Sequence, residues 1–238
     1  MLVHGLGSSR ATWNLILERL PRDQPVLRYD LRGCGQSTSD NKTQYSHAED
    51  LRAMLDARGI RKAVICGVSM GGAITSNFAL DNPDRVERIV LMNPALTGWN
   101  WTQQWRDIYR VILHMARRGQ MNKARRFWYA HPMFAAIREH ENAHILRDEI
   151  QHYSRRQWLT DRQRPAPPDL DRLPQLNCPV LLMTGDRDFK DFRLIAELIE
   201  SSIPEVTRID YKGAGHVLPL ERPAEIADQI SRFVSPEE

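Results

Sequence analysis

The stretch Val64-Ile65-Cys66-Gly67-Val68-Ser69-Met70-Gly71-Gly72-Ala73 constrains this chain more than any other. A run of apolar and β-branched residues ends at a serine flanked by glycines, and a helix-like segment from Ala73 to Leu80 follows. The pattern predicts a strand, a sharp turn and a helix, with Gly67-x-Ser69-x-Gly71 at the corner. A serine at such a corner takes up a strained backbone conformation, so the residues two before and two after it must be small. The strain has a chemical use: it lifts the hydroxyl clear of the sheet and turns the Met70 N–H toward whatever the hydroxyl attacks. Without a base, an acid and a second oxyanion donor elsewhere in the chain, the same pattern is only a glycine-rich turn.

The totals bound where those partners can come from. A chain of 238 residues is long enough for one α/β domain, or one domain with an insertion. With 42% hydrophobic and 26% charged residues it can bury an ordinary core. The net charge of +3, with no block of five like charges, argues against a nucleic-acid partner. Cys34, Cys66 and Cys178 are widely spaced, odd in number and form no CxxC, so they read as reduced thiols and predict a cytoplasmic setting. No apolar run reaches the length of a membrane span and no signal peptide is visible, so no membrane association is expected.

Taken in order, Met1-Leu2-Val3 reads as a short apolar strand running into His4-Gly5-Leu6-Gly7-Ser8-Ser9. A dinucleotide fingerprint would need a glycine at position 10, which is Arg10. The His-Gly pair instead suits a loop whose N–H groups face an anion. A short helix is predicted from Thr12 to Leu20, a strand from Val26 to Tyr29, and a helix from about Ser46 to Arg58 stopped by Gly59. Strands Ala63 to Val68 and Val86 to Met92 complete a parallel βαβ pattern buried on both faces.

The alternation then stops. From Thr97 to Pro168 only helical periodicity is present, with Trp101, Trp105, Ile108, Ile112 and Met115 on one stripe. This segment holds five of the six tryptophans and carries +7, against −4 for the rest. It reads as a helical cap inserted into a core made of residues 1–96 and 169–238. Most of its tryptophans are expected to pack cap against core, while Trp101, Trp105 and Trp128 are candidates for lining a substrate pocket. Its charge is mostly a solvated face that could also draw anionic substrates toward the cleft. Strands Pro179 to Thr184 and Val206 to Tyr211 then resume the sheet. They end in Gly185-Asp186-Arg187-Asp188 and Gly213-Ala214-Gly215-His216, and a helix from Ala224 to Val234 closes the chain.

Four motifs in this order, His4-Gly5, Gly67-Val68-Ser69-Met70-Gly71, Gly185-x-x-Asp188 and Gly213-x-Gly215-His216, each at the end of a predicted strand, resemble those of the α/β-hydrolases. The resemblance covers nearly all of the chain outside the cap. It implies a mostly parallel sheet with flanking helices and an active site at the carboxyl ends of the strands. It also implies a triad of Ser69 as nucleophile, His216 as base and Asp188 as the acid that orients the histidine, with the Leu6 and Met70 N–H groups as oxyanion donors. The family pattern favours Asp188 over Asp186. Around Val26 to Gly33 and at the Met70-Gly71-Gly72 elbow the chain looks most similar to enol-lactonases and small carboxylesterases. The implied reaction is hydrolysis of small carboxylic esters or lactones through an acyl-enzyme, without a cofactor. Carbon–carbon hydrolases and lyases share the triad; epoxide hydrolases and haloalkane dehalogenases would need a carboxylate where Ser69 stands. Family members usually carry two strands before the His-Gly loop, and here Met1 sits almost on that loop, so either the reading frame starts late or the sheet lacks that edge. Loss of those two strands predicts an open sheet edge at Val26 to Tyr29 and pairing with a second copy through it.

One motif of another class is present. His140-Glu141-Asn142-Ala143-His144 is a literal H-E-x-x-H, which on a helix would put two zinc ligands on one face, with Glu149 or His152 as a conceivable third. Its place inside the insertion, and a full hydrolase constellation elsewhere, favour reading it as a polar cap segment with no metal.

Overall fold

The computed structural model describes residues 1–39, 42–154 and 156–235. Its elements run β1 (Leu2–Val3), α1 (Asn14–Leu17), α2 (His47–Asp56), β2 (Ala63–Val68), α3 (Met70–Asp81) and β3 (Val86–Met92). Then come α4 (Gln103–Arg117), α5 (Met121–Tyr129), α6 (Ala135–Arg138), α7 (Ala143–His152) and α8 (Arg156–Leu159). The chain closes with β4 (Val180–Gly185), α9 (Lys190–Ser202), β5 (Val206–Tyr211), α10 (Leu218–Glu221) and α11 (Pro223–Val234).

The strands form one parallel sheet in the order β1-β2-β3-β4-β5. Their side chains alternate between two apolar layers, as the period of a strand requires. Val3, Ile65, Ile89, Leu91, Val180 and Leu182 face α2, α3 and α9, and the cap packs onto that same layer. Leu2, Cys66, Val68, Val90, Met92, Leu181 and Met183 face Trp13, Ile16 of α1 and Ile226 and Ile230 of α11. All three cysteines are buried free thiols. No described helix is long and apolar enough to cross a membrane.

Two expected elements differ. Residues 26–29 do not form the predicted strand: only Arg28 pairs, by a single bridge to Leu2. Its neighbour β1 is two residues long and offers too short a ladder to organise more. The expected helix at Thr12–Leu20 is a 3-10 turn over Arg10–Trp13 followed by the single turn of α1.

Between Thr97 and Pro168 every named element is helical. The ends of this segment meet, with the Asp169 N–H donating to the Thr97 carbonyl at 2.9 Å. At the entry, the buried Asp191 carboxylate of α9 accepts from Trp99 Nε1 (3.0 Å), the Thr102 N–H (2.9 Å) and Thr102 Oγ1 (2.6 Å). At the exit, Asp169 is fully buried and accepts from Asn77 Nδ2 at 3.1 Å and Arg172 Nη1 at 3.4 Å, while its Oδ2 has no partner among the described residues. Burial pushes its carboxyl up to about 6; hydrogen bonding from Asn77 and the charge of Arg172 offset only part of that.

A folded-state pKa raised above the unfolded value near 3.8 gives stability that is complete at low pH and is lost as pH rises through about 6. A shift of that size corresponds to about 3 kcal/mol. Urea unfolding of Asp169→Asn between pH 4 and 8 should therefore show a shallower decline than wild type by up to that amount. Parallel curves would contradict it.

Candidate active site

The loops after β1, β2, β3, β4 and β5 converge at one end of the sheet, the end where parallel α/β sheets place their sites. Ser69 stands between β2 and α3 with φ 55° and ψ −120°, a conformation that costs a non-glycine residue about 1–3 kcal/mol. Its backbone is over-determined: the N–H donates to Met92 O (3.0 Å), and the carbonyl accepts from Gly72 N (2.9 Å) and Ala95 N (2.9 Å). A side chain on Gly67 would run into the Gly71 carbonyl, and one on Gly71 into the Val3 carbonyl. Close backbone approach is thus the physical content of the Gly-x-Ser-x-Gly spacing.

His216 and Asp188, from the loops after β5 and β4, are both buried and meet through His216 Nδ1 and Asp188 Oδ2 at 2.8 Å. Asp188 Oδ1 accepts from the Phe189 N–H at 2.6 Å. Burial pushes the Asp188 carboxyl up, while the imidazole and the Phe189 amide pull it back. With Nδ1 donating to the carboxylate, His216 Nε2 is the ring's acceptor; it is buried and without a partner among the described residues. Asp186 does not reach the histidine and accepts from the Gly213 N–H at 2.7 Å.

The His4-Gly5 loop lies directly against Ser69: a Cβ built on Gly5 would sit 3.1 Å from Ser69 Cβ. His4 pins this loop to the core, its Nε2 accepting from the Leu31 N–H at 2.9 Å and its Nδ1 facing the Gly5 carbonyl. Burial lowers its pKa to about 4, so the ring is neutral. Leu6 follows Gly5, and Met70 opens α3. Ser69 and His216 share one small cavity of about 30 Å³, walled by Leu6, Val68, Phe134, Leu146 and Glu149 among others. This arrangement can remove a proton from a serine hydroxyl and hold a developing anion.

A model of the alpha/beta hydrolase family matches residues 1–229. The chain belongs to that family. Among curated relatives, "Putative carbamate hydrolase RutD" of Caulobacter vibrioides is 36% identical over 103 residues, 42% of this chain and 37% of the relative. The chain therefore matches little more than a third of that protein's length. "Putative 2-succinyl-6-hydroxy-2,4-cyclohexadiene-1-carboxylate synthase" of Bacillus subtilis is 27% identical over 98% of this chain and 89% of its own length. Among solved structures, the enol-lactonase from Burkholderia xenovorans LB400 superposes with a TM-score of 0.83 at 23% identity, over 98% of this chain and 89% of that one. That likeness carries the fold and no more.

In this alpha/beta hydrolase the three candidate tryptophans do not line the cavity that holds Ser69. Trp101 and Trp105 stack at 4.3 Å and pack edge-on to Phe192 of α9, and Trp105 and Trp128 surround His131. They hold the cap to the core, and the cap side chains at the cavity are Met133, Phe134, Leu146 and Glu149. The H-E-x-x-H pattern does not lie on one helix. The chain turns at His140–Asn142, so that His140 Nδ1 accepts from the Asn142 N–H (3.2 Å) and His144 Nδ1 donates to the Glu141 carbonyl (2.9 Å). Among the described residues no group of three or more His, Cys, Asp or Glu could hold a metal ion.

Two residues that the sequence did not announce brace the histidine and acid loops. Asn93, at φ 40° after β3, donates through Nδ2 to the Gly215 (2.8 Å) and His216 (3.0 Å) carbonyls and accepts from the Gly185 N–H at 3.0 Å. The buried Glu221 accepts from the amides on either side of His216, Gly215 N (2.5 Å) and Val217 N (3.0 Å). Their only sequence signal was position: an Asn-Pro pair ending a strand, and an acid five residues past the histidine.

Purified protein should contain less than a tenth of an equivalent of zinc by elemental analysis, and EDTA should leave any esterase activity intact. Activity lost to EDTA and restored by Zn²⁺ would reverse this reading.

Proposed function

We propose that this protein hydrolyses carboxylic esters or lactones of small substrates through an acyl-enzyme on Ser69. The observation that carries the reading is the His216 imidazole. One nitrogen is held by Asp188 at 2.8 Å, the other is buried with no partner among the described residues, and His216 lines the cavity that Ser69 also lines. Ser69 Oγ attacks the carbonyl carbon as His216 Nε2 takes its proton, and the carbonyl π-electrons move onto oxygen. The N–H groups of Leu6 and Met70 stabilise that oxyanion; one such donor is typically worth about 3 kcal/mol of barrier. When the tetrahedral species collapses, the C–O bond to the leaving group breaks and the alkoxide takes the proton from His216. A water, deprotonated in turn by His216, then attacks the acyl-enzyme, releasing the acid and restoring Ser69. Asp188 stays ionised throughout, stabilising the imidazolium and fixing its tautomer.

The cavity's walls are largely apolar, with Leu6, Val68, Met133, Phe134, Leu146 and Val217, which suits a small acyl group. At about 30 Å³ the cavity is small but large enough to hold a water molecule.

A second reading, lyase or carbon–carbon bond chemistry on the same three residues, is favoured by the likeness to the Bacillus subtilis synthase over 98% of the chain. A panel of p-nitrophenyl esters of graded acyl length separates the two. Turnover is expected for short acyl chains, falling about 10⁶-fold in Ser69→Ala or His216→Ala and about 10⁴-fold in Asp188→Asn. A fluorophosphonate should label Ser69 alone. Labelling of Ser69 with no turnover of any ester would favour the lyase reading, and full activity in Ser69→Ala would end both.

A further inference from the structure

We propose that Glu149, carried by the cap helix α7, is a positioning residue that fastens the oxyanion loop of the core. The inference rests on reading Leu6 as an oxyanion donor. Glu149 Oε1 accepts from the Ser9 N–H (3.2 Å), Ser9 Oγ (3.0 Å) and Thr12 Oγ1 (3.0 Å). Its Oε2 accepts from Ser8 Oγ (3.0 Å) and Thr12 Oγ1 (2.9 Å). Each of these donors is neutral. Burial pushes the carboxyl up, and the same hydrogen bonds draw it back toward the ionised form. Converging donors of this kind build a site for a carboxylate on the loop, and the cap's Glu149 fills it.

The loop needs such an anchor on one side only. Upstream of Leu6 it is held by His4 to Leu31 and by Gly5 against Ser69. Downstream, Gly7 takes φ 76° with the Trp128 indole nitrogen at its back, and the next residues are those that Glu149 binds. Leu6 therefore sits between the core anchors at His4 and Gly5 and a downstream segment that the core holds at Arg10, whose N–H donates to Asp30 Oδ1 at 2.7 Å. Glu149 and Trp128 of the cap hold residues 7–9 and Thr12. Glu149 also walls the cavity of Ser69. A cap displacement that admits substrate lifts α7 and releases Ser8, Ser9 and Thr12; reclosure sets the Leu6 N–H again. Catalytic geometry is in this way coupled to closure, because an oxyanion donor moved by a fraction of an ångström loses much of its effect.

The test compares Glu149→Ala, Glu149→Gln and Thr12→Val in the full chain. Kinetics on p-nitrophenyl acetate are normalised to the fraction of sites titrated by a fluorophosphonate. Glu149→Ala should lower kcat per titrated site about 100-fold with KM within threefold. Glu149→Gln, which keeps an acceptor for the Ser9 N–H, should lose at most about tenfold, with Thr12→Val between. Affinity for phenylboronic acid, whose adduct resembles the tetrahedral intermediate, should fall in step with kcat. Hydrogen exchange of the amides of residues 5–9 should speed up in Glu149→Ala, while that of α11 should not. A merely structural glutamate would lower the titratable fraction and leave kcat per site unchanged. That result, or unchanged exchange at residues 5–9, would overturn the proposal. Exchange decides the matter even if the wild type turns over no ester, which would be a failure of the hydrolytic reading instead.

Discussion

The site depends on a serine held at φ 55° by backbone packed too closely for any side chain. Gly67, Gly71 and Gly5 are the three points of contact: β2 against the start of α3, α3 against β1, and the His-Gly loop against Ser69 itself. The local strain, about 1–3 kcal/mol, is offset by hydrogen bonds from the Ser69 backbone to β3 and α3 and by a sheet buried on both faces. A parallel sheet is needed because it delivers five strand ends to one edge, so that residues from 5 to 217 in the chain come within one cavity's reach.

Around that fixed point the loops that carry Asp188 and His216 are held by other buried polar side chains. Asn93 spans the acid and histidine loops with three hydrogen bonds, and Glu221 grips the two amides beside His216. Loops have many conformations to lose, and each fixed residue costs about 1–2 kcal/mol in backbone entropy. A carboxylate or amide that satisfies two or three buried backbone groups supplies the compensating enthalpy and the direction at once. Burial pushes the Glu221 and Asp188 carboxyls up, and the hydrogen bonds that hold them draw them back toward the ionised form.

What could be read from the sequence was whatever periodicity and local turn chemistry encode. Strands β2, β3 and β5 fall where alternation and β-branched runs predicted them, as does the corner at Ser69. The strand expected at 26–29 failed because strand formation depends on a partner's length, which no local window contains. The H-E-x-x-H pattern misled for a related reason: its spacing means something only on a continuous helix, and the chain turns at His140–Asn142. Asn93, Glu221 and Glu149 were invisible as site residues because a buried, satisfied polar side chain has the same letter as a solvated one. Its partners lie far away in sequence, 137 to 141 positions for Glu149. Glu149 entered the sequence reading only as a conceivable zinc ligand, and its partners are the hydroxyls of the opposite loop.

The tryptophans and the acids divide the work of the cap between them. Trp101, Trp105 and Trp128 interlock with Phe189, Phe192 and His131 and supply broad apolar contact that tolerates small shifts. Burial lowers the pKa of His131 to about 3, so it serves this cluster as a neutral ring. Asp191 and Glu149, by contrast, make directional contacts that either exist or do not: Asp191 at the cap's entry, Glu149 at the cavity of Ser69. An aromatic joint lets a cap move without leaving the core, and a hydrogen-bonded carboxylate defines the one position at which it stops. With both kinds of joint, a cap can open enough to admit a substrate and still return its loop to a single geometry. A cap held only by apolar packing would reclose without that precision.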